Sequence, residues 1–551
     1  MLEPVDSISH KIIIEKKPGR TEERSMLQKT ISAAEQLLRG ADPMNRIHKK
    51  LLQSFRTALA GAVTFGVLAQ GMGLFNKFSW HDDIFSLFMT GTAIELGRWM
   101  LHVLSELEKW FFGNGHFSLP IFNGMFALMC IGLSAGMMAA HFRIRSRVLS
   151  ALLGGVMVTF PVITSFFGFM YTINYYMLAL LMLTAGGILI CAEKSWGKNV
   201  LGVLLCGCSV GIYQAFIPNL LMLVLLDLIM IVSRREEETS FYFRAVLQRA
   251  ICVAGVMGVY FVGNQAFLWA KNLQLDDYLG ISQMGTGSLE QYLAGASTAY
   301  WEFFHPSHFV LWDMYPQAVF NLYRMMLVLD GLLGGWLILR IWRKSPIRAL
   351  LLAAFLALVP LGCNFIFVMS GEVHSLMMYG QVMQVMLLIC LTDWADFSRL
   401  LFRHLLVRGT ALILALSVFM YVRYDNQCYM KTAFQQQEAI SWTTTLITRI
   451  ESAEGFRDEL PVAFLNRKQM EDHNLYNLTE LDFLSLGTYD ANIQEYLNDW
   501  AWQQFMARWC GFEPQMADSA QVADWPEVRQ MPSYPDDGSI RVIQNVVIVK
   551  F

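Results

Sequence analysis

Two adjacent carboxylates, Asp82 and Asp83, close the segment Phe78-Ser79-Trp80-His81-Asp82-Asp83, just past the first long apolar stretch. A carboxylate within hydrogen-bond reach of a hydroxyl can take its proton as a general base, and a pair can divide acceptor binding from deprotonation. The same residues could instead cap a helix begun by Ile84. As metal ligands they lack an evident third partner. Other chemically capable groups sit near the ends of apolar runs: Arg98, Asn174, Tyr175, Tyr213, Gln214, Lys271, Arg324, Glu372 and His374. Arg324 lies a few residues inside such a run, where an unpaired charge costs about 2.5–3.5 kcal/mol at depth. A lipid phosphate would offset that cost, and so would snorkelling to the interface. Lys271 reads as an interfacial anchor. Glu372 and His374 flank a tight turn that exposes both, as caps or as ligand contacts. Asp276-Asp277 and His305-Pro306-Ser307-His308 read as loop, the histidine spacing being a poor zinc signal.

These groups need elements to hold them, and the composition says which kind. The chain has 551 residues, 55% hydrophobic and only 16% charged, with a mean hydropathy of +0.39. That is too apolar for a water-soluble protein. Runs of the roughly 20 apolar residues that a spanning helix needs recur from about residue 51 to about residue 422. A net charge of −3 gives no footprint for nucleic acid. Residues 1–50 form a charged leader, cytoplasmic by its many Lys and Arg. Counting from there, the basic clusters around Arg143, Lys198, Arg235, Arg343 and Arg403 all fall on one parity of loop, giving about eleven spans. Loops 75–117 and 271–318, the turns near Tyr171, Tyr213 and His374, and the tail from residue 423 then face outward.

Within the first outer loop, residues 95–112 carry apolar side chains at three- and four-residue steps, with Arg98, His102, Glu106 and Lys109 opposite, as in a helix lying in the membrane interface. Residues 423–551 read as a soluble α/β domain, with a strand at Leu460–Leu465, a helix over Asn492–Cys510 and two strands around Gln544-Asn545. Seven of the nine cysteines fall in apolar runs. Cys428 and Cys510 lie in the tail, where an oxidising compartment permits a disulfide. Asn477-Leu478-Thr479 matches a glycosylation sequon.

Short motifs in a fixed order, His81-Asp82-Asp83, Tyr171-Thr172-Ile173-Asn174-Tyr175-Tyr176, Gly211-Ile212-Tyr213-Gln214-Ala215, Met378-Tyr379-Gly380-Gln381 and the ending Met531–Ile540, resemble the bacterial GtrII-type glucosyltransferases. The resemblance extends over nearly all of the chain after residue 50 and implies a GT-C-like polytopic α-helical membrane protein. It implies a polyprenyl-phosphate-linked hexose as donor, most simply glucose, at the outer face of a bacterial inner membrane. The acceptor would be a surface polysaccharide such as O-antigen or its precursor. Asp82 or Asp83 would be the base of an inverting transfer, with Arg324, and then Lys271 and His374, at the departing phosphate. No cofactor and no metal is expected, since protein cations can neutralise a single phosphate. The rival readings are an O-antigen polymerase or ligase, which would rely on outer Arg and His, and a lipid-linked sugar flippase, which would show internal repeats and midplane charges.

Overall fold

The computed structural model describes residues 42–79, 82–89, 94–113, 116–193, 195–276, 287–306, 317–370, 373–395, 400–467 and 501–551. His81, Asp277, His308, Glu372, the sequon and the leader before residue 42 lie outside them. In chain order the helices are α1 (Asp42–Phe75), α2 (Asp82–Phe85), α3 (Trp99–Phe112), α4 (Pro120–His141), α5 (Arg147–Thr159), α6 (Pro161–Gly168), α7 (Ile173–Ile190), α8 (Trp196–Ile212), α9 (Ile217–Arg234) and α10 (Thr239–Lys271). They continue as α11 (Leu289–Phe304), α12 (Gln317–Trp342), α13 (Pro346–Ala357), α14 (Val359–Cys363), α15 (Ile366–Met369), α16 (Val382–Trp394) and α17 (Leu400–Glu451). Beyond these come β1 (Val462–Leu465), α18 (Trp502–Cys510), α19 (Ser519–Ala523), α20 (Pro526–Arg529), β2 (Ile540–Ile543) and β3 (Val546–Lys550).

Among the described residues nine helices are long and apolar enough to cross a membrane, and the bent pair α5–α6 makes a tenth. Helix α8 is apolar too but shorter, at 17 residues. The bend of 42° falls at Phe160-Pro161, because proline has no N–H to continue the helix and suits the first position of a new one. Small residues set the tightest packing: a Cβ on Gly61 or Gly154 would collide with the backbone of Ala151 or Ala58, so α1 and α5 touch at backbone distance.

One helix departs from the sequence reading. Helix α17 does not end near residue 422 but runs 52 residues to Glu451, roughly 78 Å at 1.5 Å per residue. That is more than twice a hydrocarbon core of about 30 Å. Its far half is therefore part of the C-terminal module, where Ala439, Leu446 and Ile450 share a core with Val462, Phe464, Phe505, Val547 and Val549. The module's sheet has the order β1-β3-β2, with β1 parallel and β2 antiparallel to β3. Gln544 and Asn545 both take positive φ, 48° and 61°, the backbone of a two-residue hairpin turn. The tail cysteines do not pair. Cys428 and Cys510 are both free thiols, and Cys510 lies beside Thr444, roughly 24 Å along α17 from Cys428.

The expected loop 271–318 contains a helix, α11, opened by a capping box in which Ser288 accepts from the Gln291 N–H and Gln291 from the Ser288 N–H. It packs against the broken stretch α13–α15. Gly295 faces the Phe367 carbonyl, and Asn364 donates to the Ala299 carbonyl at 3.1 Å.

Candidate active site

The segment after α1 is tied down from two sides. Phe78 stacks on Tyr429 of α17 at 6.1 Å, and Gln436 of the same helix donates to the Lys77 carbonyl at 3.1 Å. Ile84 is buried in the core of the C-terminal module, and Arg508 of α18 lies 5.5 Å over the Phe88 ring. Underneath, Asp425 of α17 is fully buried and accepts from Thr164 at 2.5 Å and Gln70 at 3.3 Å, while Tyr429 donates to Gln70 at 2.6 Å. The long helix thus supports the acidic segment over several turns.

Asp82 and Asp83 begin the short helix α2, so their side chains diverge by a helical step and not by the alternation of an extended strand. Their surroundings differ sharply. Asp83 is fully buried; its Oδ1 accepts from the Ser118 hydroxyl at 2.5 Å and the Tyr171 N–H at 2.9 Å, and its Oδ2 from the Lys77 ammonium at 2.5 Å. Three donors, one of them cationic, converge on that carboxylate. Lys77 also donates to Ser118 at 2.8 Å, closing the triangle. Asp83 therefore ties three segments together, whereas Asp82 is half-buried.

Asp82, Asp83 and Arg98 all act electrostatically on the phenol of Tyr171, as does Tyr176. Tyr171 itself is almost wholly enclosed, and burial raises its hydroxyl well above the ordinary tyrosine range, so it stays a neutral donor. Arg98 donates to the Tyr176 hydroxyl at 2.9 Å and lies over the rings of Tyr176 and Tyr213, which stack on each other at 4.4 Å. Gln214 donates to the Leu96 carbonyl at 2.7 Å and to the Tyr260 hydroxyl at 3.2 Å, pinning the turn before Arg98. Gly97 in that turn has φ +72°, and a Cβ there would meet Tyr260 at 2.5 Å and Gln214 at 2.7 Å. Only glycine fits. Trp99 then wedges between Gly211 of α8 and Gly263 of α10, fixing the start of α3.

His116, absent from the sequence candidates, hydrogen-bonds Glu108 at 2.8 Å and the Tyr171 carbonyl at 2.7 Å, and stacks on Tyr175 at 6.0 Å. Beside it, the Tyr175 hydroxyl, Asn174 Oδ1 and Thr172 Oγ1 are buried with no hydrogen-bond partner among the described residues. His374 begins the turn Ser375–Gln381, whose Leu376 carbonyl accepts from Tyr213 at 3.5 Å. These contacts bring Asp82, Asp83, Arg98, Asn174, Tyr175, Tyr213, Gln214 and the His374 turn to one end of the bundle.

Two candidates stand apart. Arg324 is exposed on α12. Lys271 is exposed at the end of α10, where its charge falls on His102 and Glu106. Among the described residues no contact joins either to Asp82. Of the candidate cations the one brought into the cluster, beside the Lys77 that bonds Asp83, is Arg98, separated from Tyr176 and Tyr213 by long stretches of sequence, which is why spacing alone does not single it out. At the opposite end, His141, Cys191 and Asp227 could hold a metal ion by proximity, the one such group among the described residues. Arg249 already supplies the positive charge there, donating to Asp227 at 2.5 and 2.9 Å.

The profile of the family described as Glucosyl transferase GtrII matches residues 71–385, more than half of the chain. The chain belongs to this family. The match takes in Asp82, Arg98, Tyr171, Tyr176, Tyr213, Gln214 and the His374 turn, which come from several separate segments of the chain. It stops before α17 and the C-terminal module, so the closing segment Met531–Ile540 lies outside it. No curated protein and no solved structure matches the chain significantly. GtrII membership identifies a glucosyltransferase, and the long apolar helices make it one of the membrane.

Proposed function

We propose that this GtrII protein moves a glucosyl unit from a polyprenyl-phosphate donor to a hydroxyl of a surface polysaccharide or its lipid-linked precursor, at the outer face of a bacterial inner membrane. The observation that carries the reading is that half-buried Asp82, next to the Asp83 that accepts from the Tyr171 N–H at 2.9 Å, and Arg98, which donates to the Tyr176 hydroxyl at 2.9 Å, lie at one end of the bundle. Asp82 takes the proton of the acceptor hydroxyl as its oxygen attacks the anomeric carbon. The bond from that carbon to the donor phosphate oxygen breaks, and its electron pair leaves on the polyprenyl phosphate. Arg98 stabilises that developing charge, because a planar guanidinium suits phosphate oxygens. With no covalent intermediate the anomeric centre inverts. The unpartnered Asn174, Tyr175 and Thr172 oxygens supply hydrogen bonds to sugar hydroxyls. Asp83 keeps the base in place through Lys77, Ser118 and the Tyr171 backbone.

The loop-charge count supports the orientation, since the basic loops collect at the end opposite Asp82. The exposed Trp110, Phe111, Phe112 and Phe117 would sit in the lipid interface beside the site. The test is transfer of radiolabel from undecaprenyl-phosphate-glucose by the purified protein to membranes bearing acceptor glycan, with and without EDTA. Transfer that survives EDTA and is lost in Arg98→Gln supports the scheme. Strict dependence on added divalent metal, or full transfer by Arg98→Gln, contradicts it.

A further inference from the structure

Helices α1 and α17 leave an open groove along their seam. Met72 of α1 and Phe419, Val422 and Met430 of α17 give it apolar walls, and its volume is about 540 Å³, inside the range of about 300–1,000 Å³ typical of ligand pockets. Its polar lining comes from one stretch of α17, Arg423, Asn426 and Gln427. We propose that this groove binds one anionic phospholipid, with the phosphate on Arg423, the headgroup on Asn426 and Gln427, and an acyl chain against the apolar walls.

The stripe on which Arg423 stands faces lipid. Leu412, Leu416, Phe419 and Met430 are all exposed on α17, and with Arg423 and Asn426 between the last two they follow one another at three- and four-residue steps, the spacing of a single helix face. From Arg403 to Arg423 the helix rises roughly 30 Å at 1.5 Å per residue, the thickness of a hydrocarbon core. When Arg403 meets the phosphates of one leaflet, Arg423 therefore meets those of the other. Arg423 is exposed and has no ion pair or hydrogen bond among the described residues, and no acid lines the groove. Asp425, two positions on, is fully buried and accepts from Thr164 and Gln70. Gln427 also has no partner among the described residues. Asn426 gives its amide N–H groups to the Leu68 carbonyl of α1 at 3.0 Å and the Val422 carbonyl at 2.8 Å, which leaves its carbonyl oxygen to accept. A guanidinium without a carboxylate, at the level of the lipid phosphates, is matched by phosphate oxygens. A zwitterionic lipid brings an ammonium group that no acid in this groove would meet, whereas a glycerol headgroup offers hydroxyls to both amides. A phospholipid is chosen over polyprenyl phosphate because the proposed reaction places the donor phosphate at Arg98, beside Tyr176 and Tyr213; that choice rests on the proposed reaction, and the anion chemistry does not.

The test uses the full chain, purified and placed in nanodiscs of phosphatidylethanolamine doped with phosphatidylglycerol, with retained lipids counted by native mass spectrometry. Arg423→Gln removes the charge at an exposed position, and Met430→Trp fills the groove with a larger side chain. Arg541→Gln, at an exposed position of β2 in the C-terminal module, controls for the loss of a positive charge elsewhere. Thermal midpoints in detergent check that all three variants fold. The expected result is one retained phosphatidylglycerol in the natural chain and in Arg541→Gln. That species should fall about tenfold in Arg423→Gln, the difference of one charge-assisted contact, and fall likewise in Met430→Trp. Discs doped with undecaprenyl phosphate in place of phosphatidylglycerol separate the two lipids: stronger retention of the polyprenyl lipid, lost in Arg423→Gln, overturns the phospholipid assignment. Equal retention of phosphatidylethanolamine and phosphatidylglycerol, or a phosphatidylglycerol count unchanged in either groove variant, overturns the proposal. Because no readout involves glucosyl transfer, the result is separable from the fate of the proposed reaction.

Discussion

Replacing Asp83 by asparagine should loosen the acidic segment without touching the proposed base. The substitution keeps the shape but removes the charge opposite Lys77 and turns an amide N–H toward one of the donors now satisfied by Ser118, Tyr171 and Lys77. Removing one partner of a buried ion pair costs about 3–5 kcal/mol, and the low exposure of Lys77, 31% against 0% for Asp83, keeps solvent from restoring much of it. The Tyr171 N–H reports the change directly, because its protection depends on Asp83. A loss of about 3–5 kcal/mol in local opening energy accelerates exchange on the order of 10²- to 10⁴-fold. Hydrogen–deuterium exchange read by mass spectrometry on the peptide containing Tyr171 makes the measurement, with Asp82→Asn as the control expected to leave protection unchanged. Equal exchange in the natural chain and Asp83→Asn would refute the assignment of Asp83 as the tie of this segment.

Three other outcomes follow from the same geometry. Gly97→Ala places a Cβ against Tyr260 and Gln214 at positive φ; the left-handed backbone and the lost Gln214–Leu96 bond together cost roughly 2–3 kcal/mol, seen as a lowered unfolding midpoint together with weakened transfer. Arg249→Leu leaves the buried Asp227 with His141 as its remaining partner and should destabilise the bundle by about 3 kcal/mol, while Arg249→Leu with Asp227→Leu should recover most of the loss, both measured by thermal unfolding in detergent. The imidazole of His102 is held below its ordinary value first by burial and then by the charge of Lys271. The unfolded chain therefore binds the proton more readily, so this group's contribution to stability is present above the ordinary histidine value and lost as the pH falls below it; Lys271→Ala should move its NMR titration midpoint upward.

Much of the fold is legible because membrane segments obey two strong rules. Lipid enforces long apolar helices, and the basic loops record their alternation, so the ends carrying Asp82, Tyr171, Tyr213 and His374 group correctly from charge alone. The hairpin at Gln544-Asn545 and the strand before Asn466 are likewise local signals. Helix α11 has a local signal too, the Ser288–Gln291 capping box, masked by the Gly-rich and aromatic residues around it. The extent of α17 is not legible. Its polar residues after Tyr424 resemble the start of a separate domain, yet they are polar because the helix leaves the bilayer to become the module's support. That Arg98 and not Arg324 joins this cluster is not legible either, since it depends on which tyrosines stack beneath the guanidinium. The division of labour between the two acids likewise depends on Lys77 and Ser118, which nothing in the local pattern pairs with Asp83.

The central claim is that Asp82 accepts the proton of the attacking hydroxyl. It is tested most directly by single-turnover transfer from undecaprenyl-phosphate-glucose in Asp82→Asn, alongside donor binding. A general base is worth about 10²- to 10⁴-fold, so the variant is predicted to bind donor as the natural chain does and to transfer slower by that factor. Transfer within a few-fold of the natural rate, with donor binding intact, would contradict the account.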